Sequence, residues 1–525
     1  MKQDSQIPTP PPENGSYSRV SPSQAAADAI PLLVDDTYHL FHLTTPPYTR
    51  HHPPRLRSSW WRLRSKDLVN WTRDPEPSIT PSADRSSPDT DGAWTGAAVL
   101  GPDGIMNVFY TGYDLSRGGK QVILRSKSGD KHGTQFSLPG QEIFFTGDGR
   151  SMLEDIDFRD PYVFFNEQDG RYWMLIASRL ASGPHWSRGC VALLKSEDLE
   201  TWTFEPEPLY QPNDMFCPEC PELFTLPNKK WYLVYSRFHG PNAGTVYRVA
   251  DSPTGPFRIP RDGSHGRLDG RRWYAAKSCP KSRDPSKRIF FGWAGDYVDE
   301  EGKWLWGGDL GIPREVSADV NGNLRVEPVL EVKRLFEETT VPCSHVIPAE
   351  LSLSSTGKMT VEPNFFPDED RDLLLHFAVQ SCDAHSFGLM LDMDVDQLAH
   401  RLRFQPDEHG TFTVVLDSGF PPLDDFWADQ YSLHLPRSVD GPEMIRHDCV
   451  DLSGGASIFL RGKLIEVFLG GRSMTFRLPQ VHPASRSKQD PQHSTKRLAW
   501  FVEDGRVDIK HLTLEVGGRI AKIEQ

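Results

Sequence analysis

The feature that most constrains this chain is a short aromatic segment that returns five times at nearly even intervals. Tyr38-His39-Leu40-Phe41, Ile105-Met106-Asn107-Val108-Phe109-Tyr110, Arg171-Tyr172-Trp173-Met174-Leu175, Lys230-Trp231-Tyr232-Leu233-Val234 and Arg288-Ile289-Phe290-Phe291 begin at 38, 105, 171, 230 and 288, in steps of 67, 66, 59 and 58 residues. Most follow a turn such as Asp35-Asp36-Thr37, Asp103-Gly104 or Asp169-Gly170. The runs are rich in residues that suit a pleated, half-buried surface and show no sustained helical period. A second echo keeps the same register: Ser65-Lys66-Asp67-Leu68-Val69-Asn70-Trp71 is matched by Ser196-Glu197-Asp198-Leu199-Glu200-Thr201-Trp202, and more loosely by Ser252-Pro253-Thr254-Gly255-Pro256-Phe257. Repeats of this length, with several strands each, read as propeller blades. The fold class is therefore all-β, opening with a five-bladed β-propeller; an irregular sandwich would leave the even spacing to chance.

Near Arg325 the pattern changes. Val329 to Leu335 reads as a short connecting segment, and from about Leu351 the strands alternate more regularly, as in Leu373-Leu374-Leu375-His376-Phe377-Ala378-Val379, Phe387 to Leu391, Ser457 to Leu460 and Leu464 to Leu469. A series of short alternating strands reads as a β-sandwich. The organisation expected is a disordered tail at 1–24, the propeller at 25–337, a linker at 338–350 and the sandwich at 351–525. Pro483 to Lys496 is polar and reads as a surface insertion.

The 525 residues allow a large core in more than one domain. A net charge of −14 argues against a nucleic-acid surface, which needs clustered basic residues. There is no run of about 18 apolar residues, so no membrane span is expected. Met1 to Gln24 lacks the apolar stretch of a secretory signal, which makes the cytoplasm the expected compartment, or the exterior if a leader has been removed. Seven scattered cysteines do not form a disulfide framework. Cys217-Pro218-Glu219-Cys220 has no second ligand pair, so neither a metal nor a cofactor is expected. His51 and His52 lie in a polar, Pro-rich loop and read as surface residues.

The chemistry centres on Asp157-Phe158-Arg159-Asp160-Pro161, set between the apolar runs Ile143-Phe144-Phe145 and Tyr162-Val163-Phe164-Phe165. Proline biases its predecessor away from the right-handed helix, so the Arg-Asp pair is expected to be extended. Asp28 and Glu219 occur in comparable settings, and a sheet scaffold can bring the three carboxylates together. The blander readings are an Arg159–Asp160 clasp at a blade edge, a solvated loop acid at Glu219, and a solvated acid beside the tail at Asp28.

Taken in order, these residues resemble glycoside hydrolase family 32, the invertase, inulinase and levanase group, over most of the chain from about Asp28 onward. Phe158-Arg159-Asp160-Pro161 is similar to the family's Arg-Asp-Pro motif, and Glu219-Cys220-Pro221-Glu222-Leu223-Phe224 to its Glu-Cys-Pro-Asp-Leu-Phe motif. Trp94-Thr95-Gly96-Ala97-Ala98, Phe109-Tyr110-Thr111-Gly112, Tyr274-Ala275-Ala276, Gly292-Trp293 and Leu310-Gly311-Ile312-Pro313-Arg314-Glu315 resemble further propeller signatures. Leu464-Ile465-Glu466-Val467-Phe468 resembles a strand of the family's sandwich. The chain departs from the pattern at the nucleophile: Ala27-Asp28-Ala29-Ile30-Pro31 stands where the family has Trp-Met-Asn-Asp-Pro-Asn-Gly, and Leu43 replaces a glutamine.

The resemblance implies a propeller followed by a sandwich, and a retaining β-fructofuranosidase-type hydrolase cleaving or transferring a terminal fructosyl unit of sucrose or a fructan. It implies Asp28 as nucleophile, Glu219 as general acid/base, and Asp160 as the stabiliser of an oxocarbenium-like transition state. Arg159, Trp94, Thr95 and Trp293 are the expected sugar-binding residues, no metal is needed, and the sandwich can support a homodimer. The departures at the nucleophile leave room for another furanoside, such as an arabinofuranoside, or for an inactive carbohydrate-binding propeller.

Overall fold

The computed structural model describes residues 17–49, 56–137, 143–147, 152–238, 243–296, 305–339, 348–365, 372–391, 399–418, 445–477 and 498–517. The five aromatic segments lie in the second strands of five antiparallel sheets. Blade one is Ala27–Val34, Thr37–Thr44, Ser59–Ser65 and Thr72–Arg73; blade two is Gly92–Leu100, Met106–Asp114, Lys120–Lys127 and Ile143–Phe145. Blade three is Leu153–Asn166, Arg171–Leu180, Gly189–Ser196 and Trp202–Phe204. Blade four is Glu219–Thr225, Trp231–Arg237 and Gly244–Ala250, its outer edge extended by a Val249–Arg258 bridge. Blade five is built on Trp273–Lys281, Asp284–Gly295, Arg314–Ala318 and Leu324–Pro328, with Gly308–Leu310 pairing its second strand.

The first strands touch one another in the order one, two, three, four, five and back to one, which closes the five-bladed propeller. The second strands carry the rings that fill the space between blades. Phe41 and Trp173 are buried, and Tyr232, Phe290 and Phe291 sit in one continuous core with residues of blade one. Burying a large apolar side chain contributes about 1.5–3 kcal/mol relative to leaving it in water. The sequence echo is one turn used twice. Ser65 Oγ accepts from the Asp67 and Leu68 amides, and Trp71 Nε1 donates to Leu68 O at 3.1 Å. Ser196 Oγ accepts from Asp198 and Leu199, and Trp202 Nε1 donates to Leu199 O at the same 3.1 Å.

Part of the expected tail is ordered. Tyr17 is 1% exposed, packs on Trp71 with ring centroids 5.3 Å apart, and donates to Gly311 O at 3.0 Å. Arg19 pairs with Asp296 and Asp309 of blade five, and Ala26 bridges Gly308 through backbone bonds of 2.9 and 2.8 Å. A polar segment stays ordered here because its cation meets two carboxylates and its tyrosine fills a ring-lined gap. Residues 1–16 of that expectation, His51 and His52, residues 340–347 of the expected linker, and Pro483 to Lys496 lie outside the described residues.

The connecting segment is a helix, Leu330–Thr339, with Val332 and Phe336 one turn apart and buried, and Phe336 set edge-on to Phe459 at 5.4 Å. Beyond it the strands form a sandwich whose two sheets share two long partners. Glu350–Phe365 pairs along Leu498–Val516, which gives its first part to Ser386–Leu391 and its second to Leu373–Cys382. The corner falls at Asp504 and Gly505, with φ +42° and +117°, and an added Cβ at Gly505 would lie 2.5 Å from Ala384 Cα. Inner faces of both sheets meet in one core, where Phe377 contacts Trp500 at 5.0 Å and Phe404 at 5.8 Å. No helix among the described residues is long and apolar enough to cross a membrane.

The sandwich docks on blade five through a fully buried ionic cluster. Arg314 donates to Asp269 at 2.5 Å, to Ser473 Oγ at 2.9 Å and to Thr475 Oγ1 at 2.5 Å, and lies 3.7 Å over the Trp273 ring. Glu466 closes the cluster by accepting from Ile312 N at 2.9 Å and from Arg461 at 2.6 Å. Removing one partner from such a cluster leaves the others charged and dry. Arg314→Met is therefore expected to destabilise the protein by about 3–5 kcal/mol, read as a lowered midpoint in urea denaturation.

Candidate active site

The inner strand of every blade carries a register break beside the site, apart from a second break that blades three and five each have further along. Those beside the site fall between Ala27 and Ala29, Trp94 and Gly96, Arg159 and Tyr162, Glu219 and Glu222, and Tyr274 and Lys277. A bulge adds a residue and re-aims the side chains beside it. Asp28, Asp160, Cys220 and Ala275 take φ values of +24°, +56°, +51° and +47°. Asp160 is thus left-handed rather than extended: Pro161 bars the right-handed helix, but the bulge, not the proline, decides the conformation. Aspartate tolerates this region better than cysteine or alanine, whose presence there marks strain at the ring of inner strands. In blade two a glycine is required, since a Cβ on Gly96 would lie 1.8 Å from Phe109 O.

The bulges bring Asp28, Asp160 and Glu219 together. Cys220 Sγ lies 3.9 Å from Asp28 Oδ2 and 3.7 Å from Asp160 Oδ2, and the Cys220 amide donates to Asp160 Oδ2 at 2.9 Å. Arg159 donates to Glu219 Oε1 at 2.9 Å, and the Tyr274 hydroxyl donates to Oε2 at 2.5 Å. Arg159 and Asp160 form only a long ion pair of 3.8 Å, while the shorter bonds of each go to other partners. Glu219 and Asp28 are not solvated loop acids either: Glu219 is 9% exposed, and Asp28 is half-buried on the inner strand of blade one, where Trp293 Nε1 donates to it.

The expected sugar-binding residues divide. Trp94 stacks on Tyr113 at 4.2 Å and 15°, and its Nε1 and the Oγ1 of buried Thr95 have no hydrogen-bond partner among the described residues. Buried donors left in this way are suited to a ligand hydroxyl. Trp293, also expected to bind sugar, is instead engaged with the protein. It is 4% exposed, stands edge-on to Tyr274 at 6.1 Å, and donates from Nε1 to Asp28 Oδ1 at 3.0 Å. Trp60 is core and donates to Trp94 O at 3.0 Å.

Three residues complete the site that sequence reasoning did not single out. Tyr274 lay inside a quoted motif, but only the fold shows its hydroxyl on Glu219. Thr111 accepts from the Asp160 amide at 2.9 Å and donates to Thr95 O at 3.0 Å, tying blade two to blade three. Lys277 is buried and reaches from blade five to Gly96 O of blade two at 2.6 Å. A lone lysine directly after an alanine pair carries no sequence signal for that reach.

The electrostatics follow from crowding acids out of water. Burial, then Asp160 and Glu219, push Asp28 up to about 7, against the Trp293 donor and the Lys277 charge. Burial also raises Glu219, opposed by Arg159 and the Tyr274 hydroxyl and assisted by Asp160. Interacting carboxyls of this kind titrate as a group rather than one by one. A nucleophilic carboxylate beside a carboxyl group with a raised proton affinity is the equipment for double displacement at an acetal carbon. Among the described residues there is no metal-binding group of three or more His, Cys, Asp or Glu side chains.

The raised affinity has a cost in stability that can be measured without substrate. Asp28 binds its proton more tightly folded, at about 7, than unfolded, at 3.8, so unfolding releases a proton between these values and stability falls as pH rises through that window. Asp28→Asn keeps an oxygen for Trp293 and removes the charge. It is expected to stabilise the fold by about 1–3 kcal/mol at about pH 8, with the gain vanishing toward about pH 4, as read by thermal melts across pH.

Residues 29–328 match the Glycosyl hydrolases family 32 N-terminal domain. Among curated proteins, the insoluble beta-fructofuranosidase isoenzyme CWINV1 of Arabidopsis thaliana is 28% identical over 332 residues, which is 58% of this chain and 54% of that protein. A fructan 1-exohydrolase of Bromus pictus is 29% identical over 362 residues, 64% and 57% of the two chains. The chain spans about half the length of the curated relatives it matches. Among solved structures, fructan 1-exohydrolase IIa from Cichorium intybus superposes with a TM-score of 0.69 at 19% identity over 99% of both chains. Sucrose-6-phosphate hydrolase from Lactobacillus gasseri does so with 0.68 at 18%, over 97% of this chain and 93% of that one. The family match takes in the bulges that carry Arg159, Asp160, Glu219 and Tyr274 and begins one residue after Asp28, and because it spans more than half of the sequence, the chain belongs to glycosyl hydrolases family 32.

Proposed function

We propose that the protein is a retaining β-fructofuranosidase-type hydrolase that removes a terminal fructosyl unit from sucrose or a fructan, passing it to water or to a second sugar. The observation that carries this reading is the meeting of Asp28, Asp160 and Glu219 on three blades, with Glu219 gripped by Arg159 and Tyr274. The names of the relatives agree with it, as do two structural neighbours described in complex with 1-kestose and with fructosylnystose.

Glu219 gives its proton to the glycosidic oxygen while Asp28 attacks the anomeric carbon, forming a glycosyl-enzyme ester. Water then enters as Glu219 takes a proton back, and the ester opens with net retention. Trp293 Nε1 holds the attacking carboxylate and favours its charged form. Asp160, fixed by the Cys220 amide and by its own N–H on Thr111, accepts from two ring hydroxyls as positive charge builds on the sugar. Trp94 and Thr95, whose Nε1 and Oγ1 have no hydrogen-bond partner among the described residues, are the candidate contacts to the same sugar. All these groups come from one chain, so a single copy holds the whole constellation.

Asp28 must be charged and Glu219 protonated, so kcat/KM is bell-shaped, its limbs belonging to the carboxyl cluster. The test is sugar release from sucrose, inulin and aryl furanosides by the wild type, Glu219→Gln and Asp28→Asn. Fructose release should fall by about 10²–10⁴-fold in each variant with KM little changed. Release of a different sugar alone would keep the mechanism and change the substrate. Sugar binding without any cleavage would make the protein a binding propeller.

A further inference from the structure

Arg159 serves two carboxylates at once. Its Nη2 donates to Glu219 Oε1 at 2.9 Å, while its Nη1 donates to Asp157 Oδ1 at 2.5 Å and to Gln121 Oε1 at 3.2 Å. The other oxygen of Asp157 accepts from Arg179 Nη1 at 3.1 Å, and Arg179 also reaches Glu154 Oε1 at 2.9 Å. Glu154 Oε2 in turn meets Arg188 at 2.9 Å. Acids and bases alternate from Glu219 outward through Arg159, Asp157, Arg179, Glu154 and Arg188, ending on the loop between the second and third strands of blade three. The inner members are dry, with side-chain exposures of 6% for Arg159, 15% for Asp157 and 4% for Arg179.

We propose that Asp157 and Arg179 are positioning residues that set how strongly Arg159 holds Glu219. The proposal rests on the fructosidase reading, in which Glu219 must deliver a proton. An arginine beside a carboxyl group ordinarily favours its anion and makes it a poor acid. In a dry site one guanidinium divides its charge between the acids it faces, and screening by water is weak. Asp157 draws Arg159 away from Glu219, and Arg179 limits how far.

The groups around each member agree with this division. Burial opposes the ionisation of Asp157, but Arg159, a side-chain hydrogen bond from Glu154, and Arg179 outweigh it and hold the carboxyl down to about 2, so it stays charged across the working range. Glu154 is pushed up to about 7 by burial and by Asp157 beside it. His185 and Cys217 are the other titratable groups near Asp157. Glu219 faces Asp160 and Asp28, which disfavour its anion, Tyr274, which favours it, and the buried thiols of Cys217 and Cys220. Arg179 is fixed independently, over the Phe216 ring at 3.8 Å and on His185 O at 2.8 Å.

The test compares the alkaline limb of kcat/KM for sucrose, whose leaving group needs a proton, with that for an aryl fructoside, whose leaving group does not. Asp157→Asn frees Arg159 for Glu219 and should move the sucrose limb to lower pH by about half a unit or more. Arg179→Gln leaves Asp157 to Arg159 alone and should move it to higher pH. Neither change should shift the aryl fructoside profile on its alkaline side. Structural damage would not move two limbs in opposite directions, and if Asp157→Asn fails to fold, the upward shift in Arg179→Gln decides. Unchanged limbs, or shifts of one sign, in folded variants of an active enzyme would overturn the proposal. A wild type inactive on both substrates would instead overturn the fructosidase reading.

Discussion

Closing five twisted sheets on one axis forces five inner strands together, and the site depends on how each strand relieves that crowding. A bulge in the inner strand of every blade does so. A regular strand sends alternate side chains to opposite faces, whereas a bulge lets neighbouring residues project differently. Asp160 can thus stand beside Arg159, and Glu219 beside Cys220, with each member contacting a different partner. The left-handed φ at Asp28, Asp160 and Cys220 is stored strain, over-determined by the surrounding sheet and by the amide and thiol contacts that bind the bulges to one another.

The sandwich and the segment at residues 17–26 hold this ring shut from one side. Arg19, Asp296, Asp309 and Arg477 form a chain of opposite charges across the seam between the N-terminal segment, blade five and the sandwich. Arg314, Asp269, Glu466 and Arg461 form a second, fully buried one. Trp293, which anchors Asp28, lies on the blade-five strand that also pairs with Gly308–Leu310, next to that seam. Domain docking and the placement of Asp28 therefore share one blade.

Much of this was legible because it is periodic. The aromatic runs are the second strand of each blade, and the Ser-x-Asp-Leu echo is one hydrogen-bonded turn repeated. The meeting of Arg159, Asp160 and Glu219 followed from motif order. What the sequence hid is what depends on contact between blades. Nothing local marks Tyr274 as a partner of Glu219, or Lys277 as a strut to Gly96. The left-handed Asp160 was masked by Pro161, whose usual influence points to extended backbone. Residues 17–24 resembled a tail in composition because their order comes from carboxylates 277 and 290 residues away. Trp293 carries its polar contact on an acid that sequence alone could not place beside it.

The central claim is that Asp28 becomes covalently bonded to the sugar while Glu219 manages the proton. Glu219→Gln treated with fructosyl fluoride, whose leaving group needs no acid, should form the ester and then stall, because no base activates water. Mass spectrometry of the peptides is predicted to find one fructosyl group on the peptide containing Asp28, and none when Asp28→Asn is added. A stable adduct on Asp160, or turnover with no adduct in Glu219→Gln, would contradict the account.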